Sequence, residues 1–300
     1  MSTNRCRQNR SRRVRQPEGQ IVLTERDRRV LITAFLNPAT RSNHYRVLFP
    51  SIKTRNERLR LLFDHGYLDR TFPSSSSFGG AVYHIGKLGV SVAVKALANQ
   101  GLELSSDEIT ALRQRPTLSQ LEHALHVPLV YEAACLLPSA SQKLEVESFL
   151  PEPLVRFDYE IRSRDDRGWK RQCFAPDGAL VIGSRHTANR IVLFLEIDMG
   201  SVPLTRIDRK IRSFVQAVDT GLVGGRFADM LPVLALITVS EARLRGLSRT
   251  IRTQGCHSVL ATTFDTIDCV GFFSSWLHPS RNATVALAEI VERGRCLCSA

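Results

Sequence analysis

Three acidic residues have the types and the spacing of a divalent-cation site. Asp177 lies in the turn Pro176-Asp177-Gly178 between two strand-like pieces, while Glu196 and Asp198 end an apolar run. Residues two apart on a strand share a face, so Glu196 and Asp198 should point together. Mg²⁺ prefers oxygen ligands, and such a cation can polarise a phosphodiester and activate water near neutral pH. The pattern predicts that Asp177, Glu196 and Asp198 hold Mg²⁺, with Mn²⁺ as a substitute.

Lys210, one of only six lysines, lies in the predicted helix that follows the acid pair. Its ammonium could hold the attacking water or stabilise the charge that develops on a phosphorane. The predicted catalytic set is therefore Asp177, Glu196, Asp198 and Lys210. A second interpretation stays open, because strand ends often carry charged residues and both acids could simply be hydrated there.

The elements that must position these residues follow a mixed α/β pattern. Ile191–Ile197 and Val233–Val239 are apolar runs of the kind found in strands buried on both faces. Strand patterns in a row, followed by helix and strand in alternation, predict a mixed sheet. The other predicted segments are the strands Val155–Arg162, Arg171–Ala175, Ala179–Ile182 and Ser258–Thr262 and the helices Pro203–Ala217 and Glu241–Thr253.

Three helices and a hairpin are predicted in the N-terminal half. Thr24, with Asp27 three residues on, has the spacing of a capping box at the start of the first helix. The elements that follow are a short helix over Thr40–Phe49, a helix over Ser51–His65 and two extended pieces over Tyr67–Phe72 and Ala81–Ile85, joined by residues 73–80. In this order they resemble a winged helix-turn-helix.

The third predicted helix carries the candidate DNA-binding residues. A helix about 10–12 Å across fits the major groove of DNA, and the start of a recognition helix contacts the bases. The residues that would face DNA are Lys53, Thr54, Arg55, Asn56 and Arg58. The alternative is a solvated helix face on a winged domain that binds protein.

The composition favours a polyanionic partner. The formal net charge is +12, and 41 of the 300 residues are Lys or Arg, mostly Arg. Neutralising phosphates releases counterions, so nucleic acid is the first candidate; a GC-rich genome, which also replaces Lys by Arg, is the alternative explanation. Apolar stretches are too short to span a membrane, and seven Cys are too few for a disulfide scaffold. We therefore expect a cytoplasmic protein without a membrane partner.

Several blocks of the sequence resemble the replication-relaxation family of bacterial plasmids and mobile elements. Their order and spacing make the resemblance more specific than any single block. The N-terminal blocks are residues 23–31 and 58–70, a connecting helix is 121–127, and the C-terminal blocks are 176–178, 194–200 and 208–211.

The resemblance implies DNA binding linked to plasmid replication and relaxation of supercoiled DNA. It also implies a C-terminal domain similar to the PD-(D/E)XK nuclease fold, with Asp177 and Glu196 in its two acidic places. The nuclease pattern has a lysine two residues after its second acid, but this chain has Asp198 at that position. Lys210 would therefore act as a displaced lysine. The implied domains are a disordered basic arm over 1–20, a winged helix with connecting helices over 21–137, a linker over 138–153 and a nuclease-like α/β domain over 154–300.

Two functions remain open at this level. The first is a DNA-binding protein that nicks DNA as a Mg²⁺-dependent endonuclease. The second is a non-catalytic accessory protein or transcriptional regulator with an inactive nuclease-like domain, since fold alone does not decide function. The partners considered are double-stranded DNA, a second copy of the chain, and plasmid replication or mobilisation proteins.

Overall fold

The computed structural model describes residues 21–73, 80–136, 142–162, 168–274 and 276–293. The described residues form helices and three sheets, of which the largest is mixed, and this confirms the predicted α/β class. The chain divides into two compact units between Glu132 and Ala133. The predicted basic arm over 1–20 and residues 74–79 of the hairpin connection lie outside the described residues. No helix in the described part is long and apolar enough to cross a membrane.

The N-terminal unit begins with a helix that starts where the sequence predicts. The Thr24 side chain accepts a hydrogen bond from the backbone N–H of Asp27, and the Asp27 carboxylate accepts from the Thr24 backbone, which completes a capping box. The elements of this unit are α1 (Glu25–Leu36), β1 (Thr40–Arg41), a 3₁₀ helix (Ser42–Tyr45), α2 (Ile52–Asp64), β2 (Leu68–Thr71), β3 (Val82–Ile85), α3 (Lys87–Ala98), α4 (Ser106–Leu112) and α5 (Leu118–Tyr131).

The helix predicted over Thr40–Phe49 is wrong. Residues 40 and 41 form β1, which pairs antiparallel with β3 in a three-stranded sheet of order β1-β3-β2. The Thr40 hydroxyl donates to the carbonyl oxygen of Tyr83 and shares a hydrogen bond with the buried hydroxyl of Tyr45. Pairing with a strand about forty residues away therefore overrides the local helical pattern, and only a 3₁₀ turn remains.

The C-terminal unit is built on a seven-stranded mixed sheet with the order β12-β11-β10-β9-β8-β7-β4. Its middle strands β8, β9 and β10 are parallel, and β7 and β4 add to them antiparallel. The elements are β4 (Leu144–Pro151), β5 (Phe157–Arg162), β6 (Trp169–Phe174), β7 (Gly178–Ser184), β8 (Arg190–Asp198), α6 (Leu204–Asp219), α7 (Leu222–Arg226), β9 (Met230–Thr238), α8 (Glu241–Gln254), β10 (Val259–Thr263), α9 (Phe264–Val270), β11 (Trp276–His278), β12 (Ala283–Val285) and α10 (Leu287–Arg293).

Part of the predicted linker over 138–153 belongs to the sheet. Residues 144–151 form β4, in which Phe149 pairs with Leu180 of β7 and is buried. Strand β4 alternates in burial near its start and becomes fully buried near its end, where it meets the core. The prolines suggested a connection, but Pro151 sits at the last position of an edge strand, where a missing N–H is tolerated.

A cluster of phenylalanines fixes α6 against the central sheet. The ring of Phe194, on β8, lies 6.0 Å from that of Phe214 on α6 and 5.4 Å from that of Phe174 on β6, measured between centroids. All three rings are fully buried. Aromatic pairs of this kind add about 0.5–1.5 kcal/mol beyond the apolar area they bury. The cluster sets which face of α6 looks toward the end of β8.

Candidate functional site

Asp177 is held against the end of β8 by two backbone hydrogen bonds. Its own N–H donates to the carbonyl oxygen of Leu195 at 2.8 Å, and its Oδ2 accepts from the N–H of Ile197 at 2.7 Å. The next residue, Gly178, lies so close to Phe149 that an added Cβ would sit 3.0 Å from its ring. A larger residue after the acid would have to displace Phe149, and the turn brings Asp177 beside Glu196.

Lys210 completes this end of the sheet from α6. Its Nζ donates to Oε2 of the buried Glu196 and, at 3.0 Å, to the carbonyl oxygen of Ala175. Burial lowers the pKa of the Lys210 amine, but attraction to Glu196 and Asp177 outweighs that effect and leaves the pKa above its ordinary value. Asp177, Glu196 and Lys210 are thus brought together, with the lysine in its charged form.

Asp198 does not join this group, although it shares a face with Glu196. Its Oδ2 accepts from Arg243 Nε at 2.6 Å and its Oδ1 accepts from a terminal guanidinium nitrogen of Arg243 at 3.1 Å. The hydroxyl of Thr238 and the N–H of Gly200 donate to the same carboxylate. The acid is fully buried, and each of its oxygens already has protein donors.

The expected set of three carboxylates is therefore corrected to two. Glu196 faces α6 and Asp198 faces α8, and these two helices pack against each other on one face of the sheet. Within the described residues, no three His, Cys, Asp or Glu side chains are arranged to hold a metal ion. The two acids lie on the same face of β8, as predicted from their spacing, but each one pairs with a different helix.

The start of α2 presents part of the predicted DNA-binding set to solvent. Lys53, Thr54 and Asn56 are exposed, and Asn56 Oδ1 accepts a hydrogen bond from the hydroxyl of Ser42 at 2.6 Å. Ser51 caps the helix through the N–H of Thr54. These three side chains lie on the surface that the sequence assigned to DNA.

Arg55 does not share that surface, which corrects its prediction, while Arg58 is 22% exposed and is held by an ion pair with a buried acid. Arg55 is 7% exposed and donates to the carbonyl oxygen of Phe49 and the hydroxyl of Ser42. Arg58 donates to both carboxylate oxygens of the fully buried Asp27, at 2.7 and 2.5 Å. Burial raises the pKa of Asp27, but the bonds from Arg58 and Thr24 prevail and lower it overall. Both arginines therefore stabilise the N-terminal unit.

The family model for replication-relaxation matches residues 29–226, which is more than half of the chain. The chain belongs to the replication-relaxation family. The family points to a role in the replication of plasmids and mobile elements. Neither a curated protein nor a solved structure matches the chain.

The match includes the main candidate residues of this replication-relaxation protein. It covers the start of α2 as well as Asp177, Glu196 and Lys210, and it ends at Arg226, the last residue of α7. Strand β9, helix α8 and everything that follows lie beyond it.

Three contacts in these sites were not predicted from the sequence of the replication-relaxation protein. Arg243 reaches Asp198 across 45 positions, Asp27 meets Arg58 across 31, and Ala175 contributes only its backbone carbonyl. Each contact was missed because it depends on which elements become neighbours in the fold. A charge pattern within one element does not contain that information.

Proposed function

We propose that this replication-relaxation protein binds double-stranded DNA during the replication or relaxation of a bacterial plasmid or mobile element. The N-terminal unit would act as a winged helix-turn-helix. Its element order supports this, because α2 is followed directly by β2 and β3, which pair as an antiparallel hairpin beside β1. In such a domain the helix before the hairpin enters the major groove and the hairpin lies near the backbone.

The observation that carries the proposal is the exposed polar start of α2. Lys53 and Asn56 are the kinds of side chain that reach guanine and adenine edges, and the Thr54 hydroxyl can contact a base or a phosphate. The hydrogen bond from Ser42 fixes the side chain of Asn56 before any DNA arrives. Arg55 and Arg58 would support this face from beneath instead of touching DNA.

The experiment that tests DNA binding is a titration of labelled duplex of about 30 bp with the full chain at several salt concentrations. The proposal predicts that the logarithm of the association constant falls linearly with the logarithm of salt concentration, since bound phosphates release counterions. A chain that does not bind duplex at about 50 mM salt, or binds with an affinity independent of salt, contradicts it.

A second function, metal-dependent nicking of DNA, is favoured by the meeting of Asp177, Glu196 and Lys210. The resemblance to PD-(D/E)XK nucleases gives Asp177 and Glu196 to the metal. Their chemistry fits, because Mg²⁺ is often bound by only one or two carboxylates, together with water and substrate phosphates. Asp198 does not fit, because Arg243 neutralises it. Bound Mg²⁺, or Mn²⁺, would polarise the scissile phosphate and lower the pKa of a water molecule.

The residues of the chain would share the remaining tasks. The Glu196 and Ala175 oxygens position the Lys210 ammonium, and the raised pKa keeps it charged. A fixed cation at this point stabilises the negative charge that develops on the phosphoryl oxygens. Lys210 would thus replace, from α6, the lysine that the nuclease pattern places on the strand.

Incubation of supercoiled plasmid with the purified chain and Mg²⁺ or Mn²⁺ tests the catalytic proposal. We expect conversion to the open-circular form, and we expect chelation of the metal to stop it. Binding of the plasmid without conversion would instead favour the accessory or regulatory function, in which the α/β unit only docks partners.

A further inference from the structure

Helix α8 carries a row of three arginines on one exposed face. Arg245, Arg249 and Arg252 follow one another at intervals of four and three residues, and all three are exposed. With a rise of 1.5 Å per residue, they span about 10.5 Å along the helix. No described carboxylate forms an ion pair with any of the three. Among the described residues, the row therefore carries three positive charges that no ion pair neutralises.

These arginines line a groove of about 550 Å³. Its other wall comes from Leu277 of β11 and from Asn282 in the turn before β12, and Arg252 lies 3.5 Å from Asn282 Oδ1. The groove also contains the apolar side chain of Leu244, while Glu241 lies at the N-terminal end of the helix. A low-dielectric wall beside a row of guanidinium groups strengthens the field they exert on an anion.

Arg243, on the same helix, differs from the three arginines of the row because it has a structural role. Its guanidinium is mostly buried and is paired with Asp198. The three arginines of the row point elsewhere and have no such partner in the part of the chain that the structure describes. The row also lies beyond residue 226, where the family match ends, so the family does not assign it.

We propose that this groove binds the phosphodiester backbone of nucleic acid, as a contact separate from the start of α2. Three cations over about 10.5 Å suit a strand that carries about one phosphate per 3.4 Å of axis. Arginine forms bidentate bonds with phosphate oxygens, and the Asn282 amide can add another contact. The lining contains no aromatic side chain that could anchor a protein partner.

The test compares full-length variants for their salt-dependent binding to duplex and to single-stranded DNA. The salt slope is the change in the logarithm of the association constant with the logarithm of salt concentration. The variant Arg245→Ala/Arg249→Ala/Arg252→Ala should lower this slope by about 2.7 for duplex, or by about 2 for a single strand, so the titrations with duplex and with single-stranded DNA identify the form bound. Replacement of all three by Lys should keep most of the slope. The control Arg156→Ala/Arg185→Ala/Arg190→Ala removes the same charge from arginines already paired with acids at 2.9–3.1 Å, and should change the slope little.

An unchanged slope in the α8 variant, or an equal fall in the control, overturns the proposal. So does an α8 variant that keeps its nucleic-acid slope but loses affinity for polyglutamate, because the groove would then serve an acidic protein. The result can be separated from the assignment of the α2 surface. Loss of binding on substitution of Lys53 and Asn56, with no effect of the α8 substitutions, would support DNA binding by the start of α2 and reject binding by the groove.

Discussion

Asp198 and Arg243 form a bidentate ion pair that separates the two acids of β8. Glu196 lies two residues earlier on the same strand face, yet it pairs with Lys210 on a different helix. One acid is thus neutralised by a buried guanidinium, while the other keeps a lysine and Asp177 beside it. This difference assigns a structural role to Asp198 and leaves the proposed chemistry to Asp177, Glu196 and Lys210.

The substitution Asp198→Asn should leave plasmid nicking within a few-fold of wild type and destabilise the C-terminal unit. Its neutral amide weakens the charged bonds from Arg243, which are each worth about 1.5–3 kcal/mol. Asp177→Asn and Glu196→Gln should abolish nicking, and Glu196→Gln should also lower stability because it leaves the Lys210 ammonium without its carboxylate. Plasmid conversion and urea unfolding measure both effects. Loss of nicking in Asp198→Asn equal to that in Glu196→Gln would return Asp198 to the metal site.

The substitution Lys210→Met should lower the nicking rate by about 10²–10³-fold, as the loss of a fixed group that stabilises transition-state charge does elsewhere. Met keeps the length and the apolar stem of the side chain. Lys170→Met, which removes an exposed lysine from β6, is the matched control and should leave the rate unchanged. Equal rates for the two variants would show that Lys210 only balances the charge of Glu196.

The substitution Arg58→Ala should destabilise the N-terminal unit by about 3–5 kcal/mol, since it leaves the buried Asp27 carboxylate without its cation. Arg60→Ala removes an arginine from the same helix, but its partner Asp64 lies in a more exposed pair, so the cost should be about 1 kcal/mol or less. Hydrogen exchange of α1 measures both. Similar costs would contradict the structural role of Arg58.

The N-terminal unit should lose stability as the pH falls below 6.5. Burial, with Arg41, His126 and Arg46 nearby, lowers the pKa of His44 to about 3. Between pH 6.5, the ordinary pKa of histidine, and pH 3, the unfolded chain binds one proton more than the folded chain. The contribution of His44 to stability is therefore fully present above pH 6.5, and the free energy of unfolding falls by about 1.4 kcal/mol per pH unit toward pH 3.

Hydrogen exchange of the β1 region at pH 7 and pH 5, corrected for intrinsic rates, measures the pH effect. His44→Asn can still accept the hydrogen bond from the Arg41 N–H, which His44 Nδ1 accepts at 3.0 Å. This variant should reduce the difference in stability between the two pH values. A difference that is unchanged would show that another group titrates.

Local sequence rules predict the elements that local chemistry determines. The cap at Thr24 fixes the start of α1, Ser51 and Gly66 bracket α2, and the apolar run over Ile191–Ile197 lies within β8. Gly66 adopts a φ of 80°, the left-handed conformation expected just past a helix end. Lys210 was also placed on the correct helix.

Contacts between distant segments account for what the sequence misses. The pairing of Thr40 with Tyr83 turns a predicted helix into a strand, and Asp198 finds Arg243 on a helix 45 positions away. Arg55 looks like a recognition-helix residue in the sequence, yet its position on α2 turns it toward Phe49. Helical spacing predicts which residues share a face but not which face becomes buried.

The central claim is that the start of α2 binds DNA. The most direct test is to measure the affinity of two matched variants for duplex DNA. Lys53→Ala/Asn56→Ala removes an exposed lysine and an exposed asparagine from this surface, and Lys95→Ala/Asn99→Ala removes the same pair of residue types from α3 and its end. We expect binding by the α2 variant to weaken about tenfold or more, with a salt slope lower by about 1, and binding by the α3 variant to stay within about twofold of wild type. Equal affinities for wild type and both variants would contradict the account.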